Sequence, residues 1–404
     1  MDRNINKIAL CDENQCTGCE ACKNSCPQSC ISMQSDENGF SHPFIDYTNC
    51  TGCKICENSC PVLHKPIFCR SSEPSVYACW HKDDVIRIGS SSGGLFSAVA
   101  EVVLKKDGVV FGATYDENMS VYHTGVELTE DLKKLRKSKY VQSQIGNSYQ
   151  KVKQFLESDK EVLFVGTPCQ VIGLYSYLGR EYESLLTADL ICGGVPSPKV
   201  FAGYIESIES RFNTRLKDIN FRDKRHGWEN NSVIAMSTSR QYHLKGDNNS
   251  YFAGYILHLT LRESCYQCKF VGLPRVGDLT IADFWGVQGD NSISQREIDK
   301  GISLLMINNL SIEKELLSSL NKKLVLWERS LYLAKAGNSP MINNLNRPDI
   351  RDDFFRIFNQ SGYKIAAQKY IKYPLKKKII QFMKDNFNSK WLYALRRLKK
   401  DAGL

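Results

Sequence analysis

Nowhere in its 404 residues does the chain hold a run of about eighteen apolar residues, which argues against a membrane-spanning helix. The opening segment MDRNINKIAL has neither an apolar h-region nor a cleavage-site pattern, so the expected setting is the reducing cytoplasm. A Walker-type phosphate loop is missing, as is a G-x-G-x-x-G between strand and helix, which disfavours a nicotinamide dehydrogenase of Rossmann type. There is no G-x-S-x-G elbow either, so hydrolysis is not indicated. Disorder is not a reading the composition supports: 42% hydrophobic and 24% charged residues are enough to build and solubilise a sizeable core.

The net charge of +9 is local. Ser361–Leu404 holds twelve Lys and Arg against two Asp, which leaves residues 1–360 at −1 and gives no chain-wide nucleic-acid surface. The length suits roughly two to three domains.

Cysteine is abundant, with sixteen in the chain. In a reducing compartment clustered cysteines point to metal ligation more than to disulfides. A twelve-residue unit is repeated near the start: CTGCEACKNSCP at 16–27 and CTGCKICENSCP at 50–61 agree at nine of twelve positions. Each copy is C-x2-C-x2-C-x3-C-P, in which three close thiolates hold one cluster and the fourth crosses to the other. One 4Fe-4S cluster is then assigned to Cys16, Cys19, Cys22 and Cys60, and a second to Cys50, Cys53, Cys56 and Cys26. Zinc is the alternative, but a four-thiolate zinc site would leave the third cysteine of each triplet and the Pro unexplained. These residues resemble the bacterial two-cluster ferredoxins. Cys11, Cys30, Cys69 and Cys79 lie outside the pattern and read as ordinary small buried residues.

After a Pro-containing join at 62–75 the pattern turns to alternating strands and helices. Strands are expected at 109–114, 162–166, 184–191, 232–236, 278–283 and 302–307, with helices at 95–106 and from Pro168 to 178, in a parallel or mixed sheet. Ser90–Gly94 (SSSGG) opens the first helix and suits a pyrophosphate, or is an ordinary N-cap. Cys169 follows a Thr-Pro at a helix start, where the dipole favours a thiolate that could be a ligand or a nucleophile. With Cys192 and the pair Cys265 and Cys268 it completes a set of four. In FRDKRHGW, Arg222 to His226 could bind an anion or form a solvated loop. Asp278 and Asp283 could close a polar pocket or cap a strand.

The ordered motifs SSSGG, SKYVQS, GTPCQ, FRDKRHGW, SCYQC and GDLTIADFWG resemble the coenzyme F420 hydrogenase/dehydrogenase beta subunits over about residues 75–310. That resemblance implies an iron-sulfur flavoprotein that passes electrons between clusters and an organic acceptor through FAD. It implies a third 4Fe-4S cluster on Cys169, Cys192, Cys265 and Cys268. Near the flavin it implies Ser91, Ser92, Gly93, Gly94, Lys139, Tyr140 and Ser143, to which Arg222 and Lys224 are added as anion-binding candidates. The deazaflavin F420 and a role accessory to polysaccharide biosynthesis are further possibilities of the family. Two departures stand out. The usual C-H-G-V-P-S is here Cys192-Gly193-Gly194-Val195-Pro196-Ser197, without the His, and the usual G-D-x-W-G begins with Ala282.

The expected architecture is an α+β ferredoxin-like domain at 1–66, an α/β mixed-sheet flavoprotein domain at 75–350 and a basic helical tail at 351–404, divided by Pro374. The tail, with Trp391 and Tyr393, could lie on an anionic membrane surface from the cytoplasmic side, or dock on protein. The expected function is an iron-sulfur flavin-dependent oxidoreductase that meets an electron donor or acceptor protein and a small organic acceptor, and no nucleic acid. The alternative is a non-catalytic electron-transfer subunit of a larger redox complex.

Overall fold

The structure, a computed structural model, describes residues 8–230, 232–245, 249–287 and 292–371. Each cysteine repeat folds as a tight loop entering a short helical turn, Ala21–Ser25 and Ile55–Asn58. Both turns are entered through a residue in the left-handed region, Glu20 at φ 59° and Lys54 at φ 62°, so the sequence repeat recurs in the backbone. Between them β1 (Ile31–Ser35) and β2 (Ser41–Ile45) form an antiparallel hairpin with Ile31 opposite Ile45. Residues 62–74 hold no regular element, but Phe68 packs 4.2 Å from the Tyr175 ring and Arg70 lies 3.0 Å from Asp278.

The remainder is a mixed α/β assembly around an eight-stranded sheet. Its first five strands in chain order are β3 (Ser75–His81), β4 (Val109–Tyr115), β5 (Val121–Val126), β6 (Val162–Gly166) and β7 (Leu185–Leu190). The chain then leaves it to form a separate antiparallel sheet of β8 (Asp218–Asp223), β9 (Ser232–Met236) and β10 (Gln241–Leu244). It returns with β11 (Leu279–Asp283), β12 (Ser303–Ile307) and β13 (Leu324–Glu328). The large sheet runs β13-β3-β12-β11-β7-β6-β4-β5, with β4, β6, β7 and β11 parallel and the outer pairs antiparallel.

Period-two alternation explains why the central strands read as unbroken apolar runs, since both of their faces are covered. Val110 and Leu163 pack with Leu95, Val99 and Val103 of the helix Leu95–Leu104. On the other face Val109, Phe111, Val162 and Phe164 meet Tyr149 and Val152 of the helix Ser148–Glu157 and Val171 and Leu174 of the helix Pro168–Leu178. Cys19 and Ala21 of the first repeat belong to that same apolar cluster, which seats the small unit against the sheet's helices.

The expected strands at 162–166 and 232–236 appear with those bounds, and the other four within two residues of theirs. Strands β3, β5, β8, β10 and β13 were not expected. Arg222, Asp223 and Lys224 gave the β8 segment a loop-like charge pattern, whereas Arg222 is buried on the strand. The helix Arg351–Tyr370 puts Phe354, Phe355 and Phe358 into one cluster with Phe201 and Tyr204 of the helix Pro198–Phe212. Packed structure therefore continues past 350, while 372–404, with Pro374, lies outside the described residues. No helix of the described residues is long and apolar enough to cross a membrane.

Phe354 is fully buried, so Phe354→Ala should cost about 3–5 kcal/mol of stability in anaerobic denaturant titrations. A loss under about 1 kcal/mol, the level of a surface change, would show that this helix is not part of the core.

Candidate iron-sulfur centres and the adjoining cleft

Folding gathers twelve of the cysteines into three sets of four. Cys26, Cys50, Cys53 and Cys56 line one small cavity walled by Ile8, Ile31 and Ile45, so the thiols from both repeats do come together across the hairpin. The Gly52 N–H points at Cys50 Sγ from 3.4 Å, the kind of backbone donor that stabilises a charged sulfur. Cys22 lies within electrostatic reach of Cys16, Cys19 and Cys60. Two cysteines read as ordinary core residues are neighbours of these sets instead: Cys11 lies beside Cys16 and Cys60, and Cys30 Sγ is 3.3 Å from Cys26 Sγ. Cys79 is a buried core residue and Cys69 is exposed.

Cys169, Cys192, Cys265 and Cys268, from three separated segments, line a second cavity together with Thr17, Phe270, Arg275 and Pro340. Cys169 stands in the first turn of Pro168–Leu178, whose start is fixed by a capping box between Thr167 and Gln170. Cys192 follows β7, Cys265 sits in the 3-10 turn Glu263–Gln267 and Cys268 caps the end of that turn. Burial pushes the Cys169 thiol up to about 12 and Cys265 to about 11, which disfavours a free thiolate and so the nucleophile reading. A bound metal centre would reverse this, because coordination deprotonates the thiol. Among the described residues no three Cys, His, Asp or Glu side chains close tightly enough around one point for a single ion. The donor sets, four soft thiols each, the second and third of them lining small, largely apolar cavities, fit iron-sulfur clusters.

The first and third sets adjoin. A Cβ on Gly173, in the Cys169 helix, would lie 3.2 Å from Cys19 Sγ, and Thr17 lines the third set's cavity.

Past the third set opens a cleft of 640 Å³ at the carboxyl ends of β6, β7 and β11, the place where open parallel sheets bind ligands. Its wall shares Cys192, Gly194, Val195 and Pro340 with the third cysteine cavity. Of the predicted flavin residues, Ser91, Ser92, Gly94, Lys139, Tyr140, Ser143 and Arg222 line it; Gly93 and Lys224 do not. Gly93 is threaded between β3 and β12, where a Cβ would meet Cys79 O at 2.5 Å, and its N–H is taken by Ser303 Oγ at 2.8 Å. Lys224 sits behind the loop and donates to the carbonyls of Arg87 at 2.7 Å, Lys300 at 2.9 Å and Ser92. Burial pushes its pKa down to about 7, yet three acceptors need three N–H donors, which only the ammonium supplies. The Ser side chains are also engaged: Ser92 Oγ donates to Ile302 O and Ser91 Oγ accepts from Ser138 N. What this loop offers the cleft is the amino end of Leu95–Leu104.

Arg222 pairs with Asp283 at 3.2 Å and lies 4.9 Å over the Trp285 ring. Asp283 also accepts from Trp228 Nε1, so it closes the cleft floor, whereas Asp278 is a buried strut held by Thr187, Tyr175 and Arg70. Burial lowers the Lys139 amine to about 7, and it donates to the carbonyls of Arg136 and Lys134. Sequence reading missed His123, Gln170 and Tyr255. His123 Nε2 donates to Val165 O, leaving Nδ1 to accept from Ser143 Oγ, which in turn accepts from Gln170 Nε2 at 2.9 Å. Burial holds this imidazole neutral, its pKa pushed down to about 4.

An iron-sulfur protein of the oxidoreductase type is what these cysteine sets and the strand-end cleft define. Residues 159–331 match the family described as the C terminus of the coenzyme F420 hydrogenase/dehydrogenase beta subunit, and residues 15–63 match the 4Fe-4S dicluster domain. The chain is thus related to the beta subunits of that family through residues 159–331 and carries a 4Fe-4S dicluster domain before them. A solved chain of the F420-reducing NiFe hydrogenase complex from Methanosarcina barkeri, a xenon derivative, is 16% identical over 67% of this chain and 89% of that one, with a TM-score of 0.44. No curated protein matches the chain.

Lys224→Met would strip three carbonyls of their donor at the cleft's loop. An expected cost of about 1–3 kcal/mol should appear in denaturation midpoints, and an unchanged midpoint would refute the strut role.

Proposed function

We propose that the chain is an iron-sulfur flavoprotein oxidoreductase whose three cysteine sets lead to FAD bound in the strand-end cleft, where a small organic acceptor is reduced or oxidised. The observation that carries this is the common wall: Cys192, Gly194, Val195 and Pro340 face the third cysteine cavity on one side and the cleft on the other. When bound, clusters would exchange single electrons with a flavin, which handles the pair that an organic acceptor needs.

The protein's own residues have distinct tasks in this reading. Cys16, Cys19, Cys22 and Cys60, then Cys50, Cys53, Cys56 and Cys26, hold the dicluster pair, and Cys169, Cys192, Cys265 and Cys268 hold a third centre. Arg222 and Lys139 supply positive charge to a cleft that would take an anionic cofactor, and the amino end of Leu95–Leu104 adds its dipole. Tyr140 and Trp285 give aromatic faces for a planar ring. Ser143, held by His123 and Gln170, is oriented in the wall between the sheet and the Cys169 helix. Cys53 is exposed, so the second set lies towards the surface where a protein donor or acceptor would dock. The basic residues of 372–404 would add contact with anionic lipid, and a precursor of a surface polysaccharide is one candidate acceptor.

Oxygen-free purification should give about twelve irons per chain, from about four per cluster, together with bound FAD. Cys192→Ser should lower iron by about four while the paramagnetic signals of the dicluster pair persist. Iron without FAD would favour the electron-transfer subunit over the enzyme, and iron unchanged by Cys192→Ser would remove the third centre.

A further inference from the structure

Position 193, where the chain has Gly directly after a cysteine of the third set, is kept bare by a neighbour. A Cβ built there would overlap the hydroxyl oxygen of Tyr255. Tyr255 comes from the helix Ser250–Ile256, a different segment, and lines the cleft with Gly193 and Cys192. Its ring is held by Tyr140 at 4.8 Å and by Phe252 at 5.9 Å. Arg222 and the thiols of Cys192 and Cys265 are within electrostatic reach. The packing fixes the ring, yet its hydroxyl makes no hydrogen bond to a described residue. A phenol so placed, rigid and partly buried, is poised to bond something that enters the cleft.

We infer that the Tyr255 hydroxyl is the polar group this cleft presents to the edge of a planar heteroaromatic ligand beside the Cys192 wall, with Gly193 leaving the space it needs. The inference rests on the flavin reading above and adds a positioning residue to it. The recognised chemistry is a ring carbonyl or ring nitrogen that accepts from the phenol. The aromatic rings of Tyr140 and Phe252 hold Tyr255 in place, and Arg222 supplies charge nearby. A side chain at 193 would displace the hydroxyl, so the two positions act as a unit.

Two measurements on the full chain, prepared without oxygen, test this. Without added ligand, Gly193→Ala should lower the melting temperature by at least about 2 °C, and most of that loss should vanish when Tyr255→Phe is made in the same chain. With FAD as the probe, Tyr255→Phe alone should weaken binding roughly five- to tenfold and shift the flavin absorption maximum, with iron and sulfide unchanged. Equal FAD affinity and spectrum for the parent chain and Tyr255→Phe overturns this inference and leaves the flavin reading intact. A parent chain that takes up no FAD overturns the flavin reading, and the ligand role of Tyr255 with it. A Gly193→Ala penalty that persists without the hydroxyl overturns the steric pairing.

Discussion

One buried guanidinium joins the two parts of this molecule. Arg262 is 1% exposed and stands three residues before Cys265, yet its Nε donates to Cys16 O at 2.6 Å and its Nη2 to Ser41 O at 3.0 Å, on the far side of the interface. Nη1 donates to Gln142 Oε1 at 3.1 Å, and Gln142 in turn donates to Thr17 O. Taking a cation out of water is costly, and here the cost is offset by carbonyl acceptors and by cysteines whose thiolates its charge would favour. Because one side chain spans the first cysteine loop and the loop of the third set, their separation is fixed by hydrogen-bond lengths and not by a flexible join.

Other contacts hold the same interface from different directions. Glu20 accepts from the N–H groups of Ile145 at 2.8 Å and Gly146 at 3.2 Å, and Asn24 donates to Gly146 O. Phe40, at the hairpin turn, is 2% exposed and packs 6.2 Å from Phe355. The apolar contact supplies the driving force, and the buried polar contacts set the register. The cleft is built by the same logic. Lys224 is a buried charge that ties three carbonyls together and the Arg222–Asp283 pair closes the floor, while Arg222, Lys139 and Tyr255 line the cleft.

Much of this was legible as pattern. The eight repeat cysteines were visible from spacing, because a cluster demands thiolates at short fixed intervals. The central strands were visible because a strand covered on both faces is apolar throughout, as in Val162–Gly166. Edge strands such as β5 and β13 carry mixed exposure and lost that signal. Lys224 was grouped with cofactor-binding residues by its charge, but a local pattern cannot tell a lysine that faces a ligand from one that ties three carbonyls together. Tyr255 and His123 carried no motif, and only folding brings them to the cleft.

The sequence by itself determined a dicluster repeat with its eight cysteines and an α/β region whose ordered motifs point to one family. These are local properties, written in spacing and periodicity. Tertiary structure alone decided that Cys192 belongs to a wall shared by two cavities, that Arg262 sets the distance between cysteine sets, and that a phenol fills the space left at Gly193. Each of these depends on residues far apart in the chain meeting at van der Waals or hydrogen-bond distance, a condition that no single segment encodes.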